Sequence, residues 1–150
     1  MQQGIWPTVY TDNSVKEFVL QIINDADSFI KKERHIYIEQ NARRFSLYES
    51  INDKRIQDIV IFGAGVYGKM CYRDLLHCGF YIVAVCDNNE KLWGMPFLPF
   101  YSTKIISPDE LRQIFKNDIL VIVANKNYSS EICMQLSEMK IPDSNIFRYM

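Results

Sequence analysis

The first regular feature of the chain is a helical spacing of apolar residues. Val15, Phe18, Val19, Ile22, Ile23, Ala26, Phe29 and Ile30 recur at i, i+3 and i+4, with Lys16, Gln21, Asp25 and Ser28 opposite. That period predicts an amphipathic helix running to about Glu33. Ser14-Val15-Lys16-Glu17 has the form of a capping box at its start. Ahead of it, Met1 to Asn13 reads as an irregular lead, with Trp6 and Pro7 as a packing anchor or ordered arm. From Arg34 to Arg55 the pattern is mixed. Ile36-Tyr37-Ile38 fits a short strand or continued helix, whereas Phe45, Tyr48 and Ile51 keep helical spacing and favour a second helix. Asn52 to Arg55 reads as a turn.

The pattern changes at Asp58. Ile59-Val60-Ile61-Phe62 is an unbroken apolar run of strand length. Such a run suits a strand covered on both faces, as in a parallel sheet. A helical pattern follows, in which Val66, Met70, Leu75 and Leu76 can face the sheet, and Gly79 closes it. Tyr81 to Cys86 is a second apolar strand, ending at Asp87. Residues 88–100 hold two prolines and a glycine and read as a loop whose aromatics, Trp93, Phe97 and Phe100, serve for packing or as a lid. Lys104-Ile105-Ile106 is a third strand. Ser107-Pro108-Asp109-Glu110 opens a helix to about Asn117, with cap, proline and acids in the preferred places. Ile119 to Ala124 is a fourth strand, Asn125 to Tyr128 a loop, Ser129 to about Lys140 a helix, and Ile146 to Tyr149 a last strand. Right-handed crossovers turn this order into an α/β, doubly wound parallel sheet of order 3-2-1-4-5. Residues 1–57 are read as a helical arm and 58–150 as the sheet domain.

Between the first strand and its helix stands Gly63-Ala64-Gly65-Val66-Tyr67-Gly68, a complete G-x-G-x-x-G. Each glycine has a physical role: Gly63 for the tight turn, Gly65 for close approach of a pyrophosphate, Gly68 for close packing of helix on strand. The helix N-terminus adds unpaired N–H groups and the positive end of its dipole. Asp87 can accept hydrogen bonds from a ribose diol and repels a 2′-phosphate, which favours NAD over NADP. With strand, glycines, helix, second strand and terminal acid in order, the domain is Rossmann-like. The crevice is expected above the strands ending at Phe62 and Ala124. Gly63, Ala64, Gly65, Val66, Tyr67, Gly68, Asp87, Asn88 and Asn125 are its candidate cofactor-binding residues.

Composition narrows the classes. The 150 residues are 48% apolar and 23% charged, with a net charge of −1. That is an ordinary globular balance, and it points to neither nucleic acid nor an anionic membrane. Cys71, Cys78, Cys86 and Cys133 form no C-x-x-C pair, and His35 and His77 are not spaced to complete a metal site. Buried thiols in a reducing cytosol fit better. No signal peptide or membrane-length apolar stretch is visible, so the expected location is cytoplasmic. The amphipathic arm needs an apolar surface to cover, either the domain itself or a second subunit.

The segments IVIFGAGVYGKM, VAVCDNN, IISPDEL and ILVIVANKNYSSEICMQL resemble the nucleotide-binding domain of bacterial nucleoside-diphosphate-sugar epimerase/dehydratase proteins of surface-polysaccharide synthesis. The resemblance covers about the last three-fifths of the chain. It implies NAD bound at Gly63, Gly65, Gly68 and Asp87, and any enzymatic role would be as a component of such an enzyme. The family's catalytic residues do not carry over. No tyrosine has a lysine four residues on, Tyr101 and Lys104 are three apart, and a second substrate region is not expected within these 150 residues. The readings are therefore a NAD-binding module that is catalytically incomplete alone, either a piece of a longer protein or working beside a partner enzyme, a sensor or interaction domain for a nucleotide sugar, or a relative binding CoA or S-adenosylmethionine.

Overall fold

The computed structural model describes residues 13–52, 56 and 58–149, leaving aside the side chains of Asn13, Ser14, Tyr37 and Ile38. The lead containing Trp6 and Pro7, the Ser14 capping side chain, and most of the turn at Asn52 to Arg55 lie outside the described residues.

One helix, α1, spans Asn13–Asn52. The expected break near Glu33 does not occur, and the strand alternative at Ile36 to Ile38 gives way to helix. The physical reason is that no glycine or proline interrupts this stretch, so nothing stops propagation. The chain divides into two compact units, Met1–Ala42 and Arg43–Met150. The last turns of α1 belong to the second unit, where Leu47 and Ile51 are fully buried.

Five strands form the sheet: β1 Asp58–Phe62, β2 Ile82–Cys86, β3 Ile105–Ile106, β4 Ile119–Val123 and β5 Ile146–Arg148. Their order is β3-β2-β1-β4-β5, and every neighbouring pair is parallel. The helices are α2 Val66–His77, α3 Pro108–Ile114 and α4 Ser129–Glu138. Ser107 caps α3 by accepting from the Glu110 N–H at 3.1 Å. Gly79, at φ 81, ends α2 in the left-handed conformation that favours glycine, with the Phe80 N–H returning to the Leu75 carbonyl.

Two apolar layers sandwich the sheet. One joins Ile59, Ile61, Leu120 and Ile122 to Cys71, Tyr72 and Leu75 of α2 and to Leu47 and Ile51. The other joins Val60, Phe62, Val121 and Val123 to Leu111 of α3 and Ile132 and Leu136 of α4. The alternation along β1 thus serves both layers, as its unbroken apolar run requires. Two residues assigned to the buried face of α2 behave otherwise: Val66 is 72% and Leu76 43% exposed. Leu75 is buried as expected, and Gly68, Cys71, Tyr72 and Asp74 are buried with it. The helix is rotated so that its glycine, rather than Val66, meets the strand.

Asp74 is the one acid in that buried face. Its carboxylate accepts from Arg43 Nε at 2.7 Å, from Arg44 Nε at 2.9 Å and from the Tyr149 hydroxyl. The Arg43 guanidinium also lies 5.9 Å from the centre of the Tyr149 ring. A buried charge is tolerated only when paired and hydrogen-bonded. This one ties the last turns of α1, the last turn of α2 and the residue after β5 together. Burial alone would raise the Asp74 pKa, but hydrogen bonds from Arg43, Tyr149 and Arg44 outweigh it and hold the carboxyl below its usual range. A carboxylate so depressed stabilises the fold above its unfolded pKa of about 4 and loses that contribution as pH falls through the folded value.

Asp74→Ala is therefore expected to cost about 3 kcal/mol at neutral pH, measured by urea unfolding. The deficit relative to wild type should shrink below about pH 4. A variant as stable as wild type at pH 7 would show that the cluster is not a tie.

Candidate functional site

The site begins with strand register. Phe62 of β1 pairs with Cys86 of β2 and with Val123 of β4, so three strands end level. From there the chain leaves in opposite directions. After β1 it enters α2, on the layer of Ile59 and Ile61, and after β4 it enters α4, on the layer of Val60 and Phe62. That divergence opens a crevice at the switch point.

The turn from β1 into α2 is tight enough to dictate its residues. Gly63 has φ 127, and a Cβ there would lie 2.5 Å from the Ala124 carbonyl oxygen. A Cβ on Gly68 would fall 1.9 Å from the Gly63 carbonyl oxygen. Helix and strand thus approach to a distance only glycine allows. Gly65 differs: a Cβ there would meet nothing within 4 Å. Its demand is for room outside the turn, not within it. Gly65 is also the N-cap of α2, so the orphan N–H groups of the first turn receive no side-chain hydrogen bond from the cap. Val66 is exposed beside it, and Tyr67 packs partly against the core.

Asp87 follows β2 and closes on the same turn. Its Oδ2 accepts from the Ala64 N–H at 2.8 Å, and its Oδ1 from the Asn89 N–H at 2.8 Å. The Gly63 N–H donates to the Cys86 carbonyl at 2.8 Å. The end of β2 therefore holds the first two amides of the glycine turn. Each carboxylate oxygen keeps a second lone pair for a ligand hydroxyl. Trp93 donates its indole N–H to the Asp87 carbonyl at 2.7 Å. The aromatic loop thus packs: Phe97 is buried with its ring 5.4 Å from that of Tyr72, although Phe100 is fully exposed.

A cavity of about 430 Å³ lies between this wall and α4. Phe62, Gly63, Asp87, Asn88 and Asn89 line one side, and Asn125, Tyr128, Glu131, Ile132 and Gln135 the other. Asn88 and Gln135 exchange two amide hydrogen bonds, of 2.9 and 2.8 Å, and so link the two walls. The Asn125 side-chain Oδ1 accepts from the backbone N–H groups of Asn127 and Tyr128, fixing the entry to α4. Of the nine candidate residues, Gly63, Asp87, Asn88 and Asn125 line the cavity, and Ala64 reaches it through Asp87. Gly65, Val66, Tyr67 and Gly68 do not line it; they form the turn beside it. Glu131 and Gln135 were not anticipated, although the helical spacing from Tyr128 already places all three on one face.

The lining carries two carboxylates, several amides and no lysine or arginine. Such a surface suits a neutral, hydrogen-bonding ring or sugar and rejects a phosphate group. An anionic group finds its favourable place at the start of α2 instead. Burial pushes the Cys71 and Cys86 thiols far above their usual pKa, so neither is a reactive thiol.

Topology, glycine turn and terminal acid define a Rossmann-type domain. Residues 55–147 match the family described as C2185-like, N-terminal, and the chain belongs to that family. That match lends no support to the resemblance to epimerase/dehydratase proteins. No curated protein matches the chain. Three similar solved structures are of RSP, a Rex-family repressor. In complex with β-NAD⁺ and operator DNA it is 18% identical over 62% of this chain and 49% of that chain, with a TM-score of 0.46. A second structure of the repressor gives 18%, 62%, 51% and 0.46, and its complex with β-NADH gives 18%, 63%, 54% and 0.47. The matched part spans about half the repressor's length. The exclusion of nucleic acid as a partner is corrected by this finding, because a similar protein is a repressor held on operator DNA. Net charge near zero was too coarse a ground, since it does not report how charge is distributed. Among the described residues no helix is long and apolar enough to cross a membrane.

Gly68→Ala is expected to destabilise the domain by about 2 kcal/mol or more, because its Cβ must displace backbone. Thermal unfolding checks it, and an unchanged midpoint would mean that the turn has room the geometry denies.

Proposed function

We propose that residues 58–149 form a binding module for NAD(H). The observation that carries this is the junction of Asp87 with the glycine turn. One carboxylate both braces the Ala64 amide and lines the cavity, beside a helix start whose N-cap, Gly65, has no side chain. A ribose diol against Asp87, a neutral base in the cavity and a pyrophosphate over Gly65 answer these three features in turn. The carboxylates of Asp87 and Glu131 disfavour the 2′-phosphate of NADP. The similar repressor structures with NAD⁺ and NADH agree in ligand class, though the argument rests on the residues of this chain. The module binds, and a partner enzyme or a further segment supplies any chemistry. A link to sugar nucleotides rests on the sequence resemblance alone, and a UDP-sugar belongs in the test for that reason.

A thermal-shift panel with NAD⁺, NADH, NADPH, a UDP-sugar, S-adenosylmethionine and CoA is the first measurement. A ligand at a hundred times its Kd adds about 2.7 kcal/mol, a shift of several degrees. A shift with NAD⁺ or NADH, and none with NADPH, is expected. A shift with the UDP-sugar alone would replace the proposal by a sugar-nucleotide sensor. Asp87→Ala should weaken NAD binding more than tenfold, about 1.4 kcal/mol. Gly65→Val should abolish it while the fold persists, since that side chain meets no protein atom near its Cβ.

A further inference from the structure

The amino-terminal unit carries a surface the nucleotide site does not use. Along α1, Val15, Val19, Ile22, Ala26, Phe29 and Ile36 recur at alternating steps of four and three, interrupted only by Glu33. Phe18, Ile23 and Ile30 flank that seam. Phe18 is 67%, Ile23 56%, Phe29 64% and Ile30 54% exposed. A 3.5-residue apolar period is the signature of helices that wind about one another.

The flanking charges indicate the occupant. Asp25 and Lys32 are seven residues apart and occupy the same flanking position of successive repeats. In a parallel pair of copies each would face the other flank, where Ile30 opposes Asp25. In an antiparallel pair, Asp25 of one copy faces Lys32 of the other, and the two-fold axis repeats the ion pair. The other flank then brings Ile23 against Ile30. Self-complementarity of this kind is what a second copy requires and an unrelated partner does not. Two further pairs are matched within the helix: Asp27 with Lys31 at 3.0 Å, and His35 with Glu39 at 3.1 Å.

We propose that residues 15–36 of α1 form an antiparallel coiled-coil dimer with a second copy of this chain, with Asp25 of each copy paired to Lys32 of the other. This interface stands independently of NAD binding.

Light scattering coupled to size exclusion, with sedimentation to obtain Kd, tests it on the full chain. The wild type should be a dimer. Phe29→Glu should raise the dimer Kd about a hundredfold or more, since each dimer loses two buried aromatics. Asp25→Lys and Lys32→Asp should each weaken the dimer, and the double variant D25K/K32D should recover it. A wild-type monomer at about 100 μM, well above the μM range of a specific complex, would overturn the proposal. So would a dimer unmoved by Phe29→Glu. Failure of the double variant to recover would overturn the antiparallel pairing. Phe29 is exposed, so a helical circular-dichroism spectrum close to wild type distinguishes loss of the interface from loss of the domain fold.

Discussion

The sheet domain is organised by a distance that admits no side chain. Gly68 sits on the Gly63 carbonyl, where a Cβ would stand 1.9 Å from the oxygen, and Gly63 in turn sits on the Ala124 carbonyl. The chain is pinned between two strands and a helix over six residues. This contact brings α2 down onto Ile59 and Ile61 and so places Cys71, Tyr72 and Leu75 in the core. It also aims the start of α2 at the level ends of β1, β2 and β4. Packing and site share one constraint. A larger residue at either glycine would lift the helix from the sheet and turn its amides away from the crevice in the same motion.

Asp74 fixes the other end of that helix by different physics. The glycine contact is steric and has no partner to lose, whereas the Asp74 cluster holds only while its charge is matched. Arg43 and Arg44 come from α1, and Tyr149 follows β5, so segments far apart in sequence meet on one carboxylate. The Arg43 pKa is raised mainly by its hydrogen bond to Asp74, which keeps the pair charged on both sides. Leu47 and Ile51 complete the attachment through burial. The last turns of α1 thereby become part of the domain core, which is why the compact unit begins at Arg43.

What the sequence discloses follows from how local each cause is. Strand runs such as Ile59 to Phe62 and Ile119 to Val123, the Ser107 cap and the Gly79 stop are set by neighbours in sequence, and all occur where the pattern places them. Sheet order follows from the same runs because right-handed crossovers leave few alternatives. The exposure of Val66 was hidden, because apolar periodicity sets it on the sheet face, whereas the glycine motif already gave the close helix–strand contact to Gly68. The Asp74 cluster was hidden as well: an acid between Arg73 and Leu75 reads as an ordinary surface residue until Arg43, Arg44 and Tyr149 converge on it. At the crevice, the glycines and Asp87 were legible as a motif. Glu131 and Gln135 belong to it through the packing of α4, which no motif describes.

The division of charge around the crevice constrains how a dinucleotide can lie there. The cavity between Asp87 and α4 is lined by carboxylates and amides and has no cation to neutralise a phosphate. The start of α2, a few residues from Asp87 through the Ala64 amide, offers backbone donors and the positive end of a helix dipole. A ligand with a neutral base and ribose at one end and a pyrophosphate in the middle satisfies both surfaces in one orientation. The reverse orientation would set phosphate against Asp87 and Glu131. The Asn88–Gln135 amide pair spans the cavity, and its two carboxamides present the donor and acceptor groups that a purine edge matches. A base entering there would exchange those two hydrogen bonds for new ones. An exchange of neutral amide bonds costs little net free energy, about 1 kcal/mol for each bond not replaced. The pair can thus satisfy its own polar groups in the free protein and still yield to a ring that offers equivalent partners.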